Sequence, residues 1–380
     1  MFTRYKGCAD DRRIIADIAT RLEGHLPDAY GPNATLRTRA PVILSHTSSL
    51  ILHYPVSLPD GSEKRLLVKI RRHPKMTTLK ATLDSPDLHS RMRHEFDAMD
   101  ETFRHFDARC AELRGVRTFV FLPEYNAVVT EQFAGQTMRQ LLMTCAPVGR
   151  SRRNIEMLKV ASRRAGAWLR EVQYSMNRSE TGVVSSQLYD EEVAALIRDL
   201  GTCGVKGSVI NRLSDQFRSA AATIEGRKLE LGRSPEDYTT DNVIYDSEDK
   251  LAVVDLKYQA APNYRSLSLF LIHPDTYKPQ FLTFGKFFRS AILSTFRANV
   301  LAGYFADTTP DIHVLNFYCA RNILEKFVMY ERIIAGHSGL KSIVSSSIRL
   351  EMAMYFGAQI DRYLAAASPA DVMLKERVRD

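Results

Sequence analysis

Hydrophobic positions change period along this chain, and the changes mark its elements. Leu50, Leu52, Tyr54, Val56 and Leu58 alternate with Ile51, His53, Pro55 and Ser57, the period of two expected of a strand. Pro59-Asp60-Gly61 turns the chain. Residues 65–70 predict the returning strand, with Leu66, Val68 and Ile70 on one face and Leu67 and Lys69 on the other. Ahead of this hairpin, Ile14, Ile15, Ile18, Leu22 and Leu26 fall at helical spacing. After it, Ser85 as cap and Pro86 in the first turn predict a helix start. Leu88, Met92, Phe96, Met99, Phe103 and Phe106 then recur at steps of three and four. A β-branched strand at 127–130 runs through Glu131-Gln-Phe-Ala-Gly135 into a helix predicted to begin near Thr137. From there the pattern is largely helical. Ile155, Leu158, Ala161, Ala165, Trp168, Leu169 and Val172 predict one buried helix in which the single tryptophan packs. Two more are predicted at 191–200 and 209–224, another at 266–272, and three between 280 and 367.

Three features break the pattern. Lys69 stands inside an apolar strand, where an ammonium is costly unless an anion meets it. A solvated lysine on an open sheet face is the other reading the strand permits. Glu95 falls at the edge of the helical stripe, so it is either a rim residue or the partner of a cation such as Lys69. The third feature is Asp237-Tyr-Thr-Thr-Asp-Asn242, then Val-Ile-Tyr, a polar turn at 246–249 and an apolar strand ending at Asp255. An acid, an amide five positions on and a second acid suit phosphoryl transfer. The first can deprotonate a hydroxyl, while the amide and the last acid ligate magnesium. Magnesium takes oxygen ligands and few from protein, since phosphate and water fill the other positions. One tight strand–turn–strand between Asp237 and Asp255 would bring Asn242 and Asp255 side by side. Such a run also arises by chance, so its context decides.

The order of these elements resembles the aminoglycoside phosphotransferase and choline kinase-like family, the small-molecule branch of the protein-kinase-like fold. The resemblance runs over residues 35–275. It rests on Leu-Val-Lys69, Arg-His-Glu95-Phe, Val-Val-Thr-Glu131-Gln-Phe-Ala-Gly135, Gly166-Ala-Trp-Leu-Arg-Glu-Val, Asp237-Tyr-Thr-Thr-Asp-Asn242-Val and Val-Val-Asp255-Leu. It implies an α+β, two-lobed fold: a small antiparallel-sheet N-lobe over residues 1–130, a hinge at 131–136 and a larger, mainly helical C-lobe over 137–380. It also implies ATP and magnesium as cofactors. Asp237 would be the catalytic base, Asn242 and Asp255 the magnesium ligands. Lys69 would hold the α- and β-phosphates with Glu95 as its anchor. The turn at 45–49, with Ser48 and Ser49, would cover the phosphates, and backbone groups from Glu131 to Phe133 would meet the adenine edge.

Three departures stand beside this likeness. Pro235-Glu236 occupy the place where the family carries His-Gly, a histidine that braces the catalytic loop. A nucleotide-binding pseudokinase or scaffold without transfer activity is the alternative this opens. The turn at 45–49 has no glycine, although hydroxyls and backbone amides also meet phosphate oxygens. Leu256-Lys257 follow Asp255 in place of Phe-Gly.

Composition narrows the partner more than the fold. The chain has 380 residues, 45% hydrophobic and 25% charged, the balance of a soluble globular protein long enough for two lobes. Cys8, Cys110, Cys145, Cys203 and Cys319 form no Cys-x-x-Cys pair and predict free thiols, a reducing compartment and hence a cytoplasmic location. The start lacks the apolar core of a secretory signal, and no run has the length of a membrane span. The helix at 266–272 follows Asp255 within about ten residues, which leaves no long segment to bind a peptide. The expected acceptor is therefore a hydroxyl of a small molecule, a sugar or glycan. A net charge of +8 favours an anionic one, such as a phosphorylated or uronic sugar, a nucleotide sugar or a lipid-linked glycan. Arg150, Arg152, Arg153, Arg163 and Arg164 read as a solvated basic helix face, and no nucleic-acid partner is expected. The aromatic run at 281–297, interleaved with Lys286, Arg289 and Arg297, fits a core helix of the larger lobe or a peripheral contact with a membrane surface.

Overall fold

In the computed structural model, which describes residues 9–365 apart from 46–47, 73–78, 147–150, 247, 307 and 336–340, the alternation at 50–58 becomes the strand Ser49–Ser57. It pairs antiparallel with Glu63–Arg71 in a register that sets Lys69 opposite Ile51. The chain divides into two units, one of Met1–Gly135 with Asp246–Lys257, the other of Gln136–Tyr245 with Tyr258–Asp380.

The first unit is built on an antiparallel sheet ordered Thr35–Leu36, Ser49–Ser57, Glu63–Arg71, Ala127–Glu131 and Thr118–Leu122, with Val42–Ser45 also pairing to Ser49–Ser57. One face of this sheet contributes Leu50, Leu52, Tyr54, Val56, Leu66, Val68, Ile70 and Val129 to a core. Ile15, Ile18, Leu22 and Leu26 of the helix Ala9–Tyr30 close that core, as the heptad-like spacing predicts. The Tyr54 hydroxyl, buried among them, donates to the Ile15 carbonyl at 3.2 Å. The other long helix, Pro86–Asp107, starts after Ser85. Its approach to the strand Leu113–Gly115 needs glycine: a Cβ on Gly115 would lie 2.4 Å from the Phe103 Cα. The segment 246–257, read from sequence as part of the helical lobe, groups with this first unit. The reason is a parallel ladder in which Leu251–Val253 pairs with Leu113–Gly115.

The second unit is mainly helical. Met138–Cys145 begins at a capping box in which Thr137 and Gln140 exchange side-chain and backbone hydrogen bonds. Arg152–Arg170 crosses Ser290–Phe305 with the backbones almost touching. A Cβ on Gly166 would stand 2.0 Å from the Val300 carbonyl oxygen, and one on Gly303 would stand 1.9 Å from that of Arg163. The predicted helix at 191–200 is two pieces, Leu188–Glu192 and Ala194–Thr202, broken at Val193. Gly207–Ile224 and Asn263–Ile272 follow the sequence pattern, and Ile312–Ala335 and Lys341–Ala365 complete the tail. A small antiparallel sheet of Glu180–Val183, Lys228–Pro235 and Tyr258–Pro262 leads into the Asp237 loop.

The aromatic run at 281–297 packs as core. Phe281, Phe288 and Phe296 are buried, and Arg297 is paired in the interior with Asp275. Leu282 and Phe284 stay exposed. Among the described residues no helix is long and apolar enough to cross a membrane. Arg152, Arg153 and Arg163 are exposed, while Arg150 lies outside the described residues, as do Cys8, His46 and Thr47.

Candidate active site

Lys69 lies on the middle strand of the first unit's sheet, between Ile51 and Val128. Its ammonium donates to Glu95 Oε1 at 2.7 Å and to the Asp255 carboxylate. Glu95 is only 1% exposed, well inside the helix stripe. The buried positions of that helix are Leu88, Met92, Glu95, Ala98, Met99, Thr102 and Phe106, a helical stripe that includes two polar residues. Phe96 and Phe103, which the hydrophobic pattern placed in the stripe, are half-buried beside it. A charge set in a core position must be answered locally, and Lys69 answers it.

The electrostatics follow from that placement. Burial alone would lower the Lys69 pKa, but the carboxylates of Glu95 and Asp255 outweigh it and hold the ammonium above its ordinary value. Burial raises the Glu95 pKa, with Lys69 opposing. For Asp255 burial pushes up, and Lys69 more than offsets it, so this carboxyl is held below the usual carboxylate range. Asp255 also sits in the left-handed region, with φ of +57°. Asp tolerates that conformation better than most residues, yet it costs free energy and concentrates at functional positions.

The other first-unit candidates are placed as follows. Ser48 is exposed on the turn and its carbonyl accepts from the Arg72 N–H at 2.8 Å. Ser49 is buried and starts its strand opposite Arg71. The Glu131 carboxylate accepts from Tyr30 and Arg117, both at 2.7 Å, and from Lys64 at 3.1 Å. The N–H groups of Glu131 and Gln132 are taken by the Arg117 and Arg65 carbonyls. Phe133 follows as the first position of that segment whose N–H has no such bond among the described residues.

In the second unit, Asp237 and Asn242 occupy one tight loop. Asn242 Nδ2 donates to the Asp237 carbonyl at 2.9 Å and to its carboxylate at 3.3 Å. That commits the amide nitrogen, so a cation at this side chain would meet Asn242 Oδ1. Between them Tyr238 points inward. Its hydroxyl donates to the Ala165 carbonyl at 2.7 Å, and its ring stacks on Trp168 at 5.6 Å between centroids. Thr240 shares its hydroxyl with His273 Nδ1 at 2.6 Å and with the Tyr277 hydroxyl. Burial, with Lys326 and Arg139 nearby, lowers the His273 pKa to about 3, so this imidazole is neutral. Asp241 pairs with Arg139 at 3.3 Å, and the Arg139 guanidinium lies over the Tyr277 ring. The strand entering the loop is fixed by Gln173, which donates to Ser234 Oγ at 2.6 Å. Ser266 in turn donates to the Pro235 carbonyl at 2.6 Å.

Asp237 and Asn242 of this loop offer a carboxylate and an amide oxygen, donors of the kind a hard cation such as magnesium takes. Among the described residues no group of three or more His, Cys, Asp or Glu is arranged as a metal site. No protein-family model and no curated protein matches the sequence. Solved structures do match. A candidate aminoglycoside phosphotransferase from Ralstonia eutropha aligns over 90% of this chain and 98% of its own, at 12% identity and a TM-score of 0.58. A choline/ethanolamine kinase family protein from Mesorhizobium loti aligns over 96% and 99%, at 14% identity and a TM-score of 0.51. The chain has the protein-kinase-like fold of these small-molecule kinases.

The loop at Asp237 is held from two sides. Tyr238 anchors the loop from inside, and His273, from the turn after the helix Asn263–Ile272, holds Thr240. Sequence reading missed His273, Tyr277 and Arg139, because nothing in local spacing ties position 273 to position 240. A buried-looking His-Pro-Asp at the end of an apolar helix was the available signal.

Proposed function

We propose that this protein is a magnesium-dependent phosphotransferase that moves the γ-phosphate of ATP to a hydroxyl of a small molecule. The observation that carries the reading is the Lys69 ammonium, set in an apolar sheet, anchored by a fully buried Glu95 and bonded to an ionised Asp255 on left-handed backbone. A cation so held is a device for positioning phosphates. The two similar structures are named for phosphoryl transfer to small molecules, which agrees.

In this reading Lys69 binds the α- and β-phosphates and Glu95 fixes its direction. Asp255 and Asn242 would hold magnesium through their oxygens, and the metal would supply charge neutralisation on the phosphates. The turn with Ser48 and Ser49 covers the phosphates, and the Phe133 N–H meets the adenine edge. Asp237, steered by the Asn242 amide, accepts the proton of the acceptor hydroxyl. The hydroxyl oxygen then bonds to the γ-phosphorus as the bond to the bridging oxygen breaks, and ADP leaves with that electron pair.

The acceptor class follows from charge. The net +8 is joined by a second-unit cavity of about 220 Å³ lined by Arg139, Lys278, Lys326, Tyr277, Tyr330 and Asp241. Asp241 belongs to the same loop as Asp237, so an anionic sugar or glycan suits this lining better than a polycation. Pro235-Glu236 favour a silent scaffold as the second reading, and the hydrogen bonds of Tyr238 and Thr240 that hold the loop support the active one. The test is transfer from labelled ATP to a panel of sugars, sugar phosphates, amino alcohols and nucleosides, with Asp237→Asn and Asp255→Asn alongside. Both variants are expected to lose activity by about a hundredfold or more; turnover unchanged in both would refute the proposal.

A further inference from the structure

The group around Lys69 holds more positive charge than its carboxylates neutralise. Arg71 is two residues along the strand from Lys69, on the same face. Its Nη2 stands 3.9 Å from both Glu95 Oε2 and Asp255 Oδ1, too far to hydrogen-bond. Arg71 Nε is buried without a hydrogen-bond partner, and so is Glu95 Oε2. Lys257, two residues after Asp255, is half-buried and within electrostatic range of Arg71, Glu95, Asp255 and Lys69. Among the described residues it makes no ion pair within 4.0 Å. Three cations therefore face two carboxylates, and two of the three make no hydrogen bond to them. Leaving part-buried cations without a hydrogen-bonded anion is costly. Their concentration around one ionised carboxylate gives the site an anion-shaped deficit, and phosphate oxygens match it, a planar guanidinium gripping two at once.

We infer that Arg71 and Lys257 form a second phosphate grip beside Lys69, one that holds the polyphosphate tail of the nucleotide with or without magnesium. This rests on the phosphotransferase reading and deepens it. Its consequence is a split: nucleotide binding survives chelation of the metal, while transfer does not.

The experiment is calorimetric titration of the full chain with ATP, and separately with adenosine, in magnesium and in EDTA. Arg71→Met, Lys257→Met and the charge-keeping Arg71→Lys are titrated in parallel. Wild type is expected to bind ATP in EDTA within about tenfold of its affinity in magnesium, since charge-assisted bonds replace part of the metal's role. Arg71→Met and Lys257→Met should each weaken ATP binding in EDTA by about tenfold or more, leave adenosine binding unchanged, and be partly rescued in Arg71→Lys. ATP binding that needs magnesium in wild type, or that is equal in the Met variants, overturns the grip while the phosphotransferase reading stands. Parallel loss of adenosine binding assigns the two residues to folding and also overturns it. Failure of wild type to bind ATP in either buffer overturns both.

Discussion

His273 makes the second unit's stability fall in mild acid by an amount its burial sets. The imidazole is 9% exposed, accepts from Thr240 and has its pKa lowered from 6.5 to about 3. Between those values the unfolded chain binds a proton that the folded chain refuses, so unfolding becomes easier as pH drops. The stabilising contribution is complete above pH 6.5 and is lost on the way down towards pH 3. At 1.36 kcal/mol per unit of pH, the loss from pH 7 to pH 5 is about 2 kcal/mol from this side chain. Other groups titrate in the same window, so the informative quantity is the difference between wild type and His273→Gln. Trp168, the sole tryptophan, stacks on Tyr238 inside the same loop and reports the transition by fluorescence. Urea unfolding at pH 7 and pH 5 should show the wild type losing about 2 kcal/mol more than the variant. Equal losses in the two proteins would show that position 273 does not hold a buried neutral imidazole, and the account of how the loop is braced would fail with it.

Two further outcomes test the packing. Lys69→Met strands Glu95 in the interior, and breaking a buried pair from one side should cost about 3–5 kcal/mol at pH 7 in chemical denaturation. Adding Glu95→Gln should recover a large part of that, and a Lys69→Met protein as stable as wild type would rule out the interior pair. Gly166→Ala puts a methyl 2.0 Å from the Val300 carbonyl oxygen and should cost about 1–3 kcal/mol through displacement of the helix Ser290–Phe305. An unchanged thermal midpoint would mean the two helices do not cross as closely as described.

The elements that sequence periodicity located best were those whose burial is simple. Leu50, Leu52, Tyr54 and Val56 alternate because one face of their strand is core, and the helix Ala9–Tyr30 repeats because one stripe is. Periodicity misplaced Glu95 by counting only apolar residues. Phe96 and Phe103 drew the stripe one position round the helix, while Glu95 and Thr102 occupy its true centre. That the segment 246–257 groups with the first unit was not legible in the sequence for a different cause. Its ladder partner, Leu113–Gly115, is remote in sequence, and a three-residue parallel strand leaves no periodic trace. The roles proposed for Asp237, Asn242 and Asp255 came from residue type and order.

The bracing of the Asp237 loop shows why a missing motif residue and a missing function are separate questions. Under the proposed function, what the loop requires is mechanical: a fixed backbone at Asp237 and an oriented amide at Asn242. A histidine just ahead of the loop is one way to supply it. Here the load passes through Tyr238 to the Ala165 carbonyl and the Trp168 ring, and through Thr240 to His273. The first route ends on the helix Arg152–Arg170, seated by the Gly166–Gly303 crossing, and the second on the turn after Asn263–Ile272, a helix whose Asn263 carbonyl accepts from Gln173. A loop held from beneath in this way has less need of its own first-turn residues, so Pro235-Glu236 cost it little. If that is correct, Pro235→His with Glu236→Gly should change unfolding free energy and ATP turnover far less than His273→Gln does. The opposite ranking would return the brace to the residues ahead of Asp237.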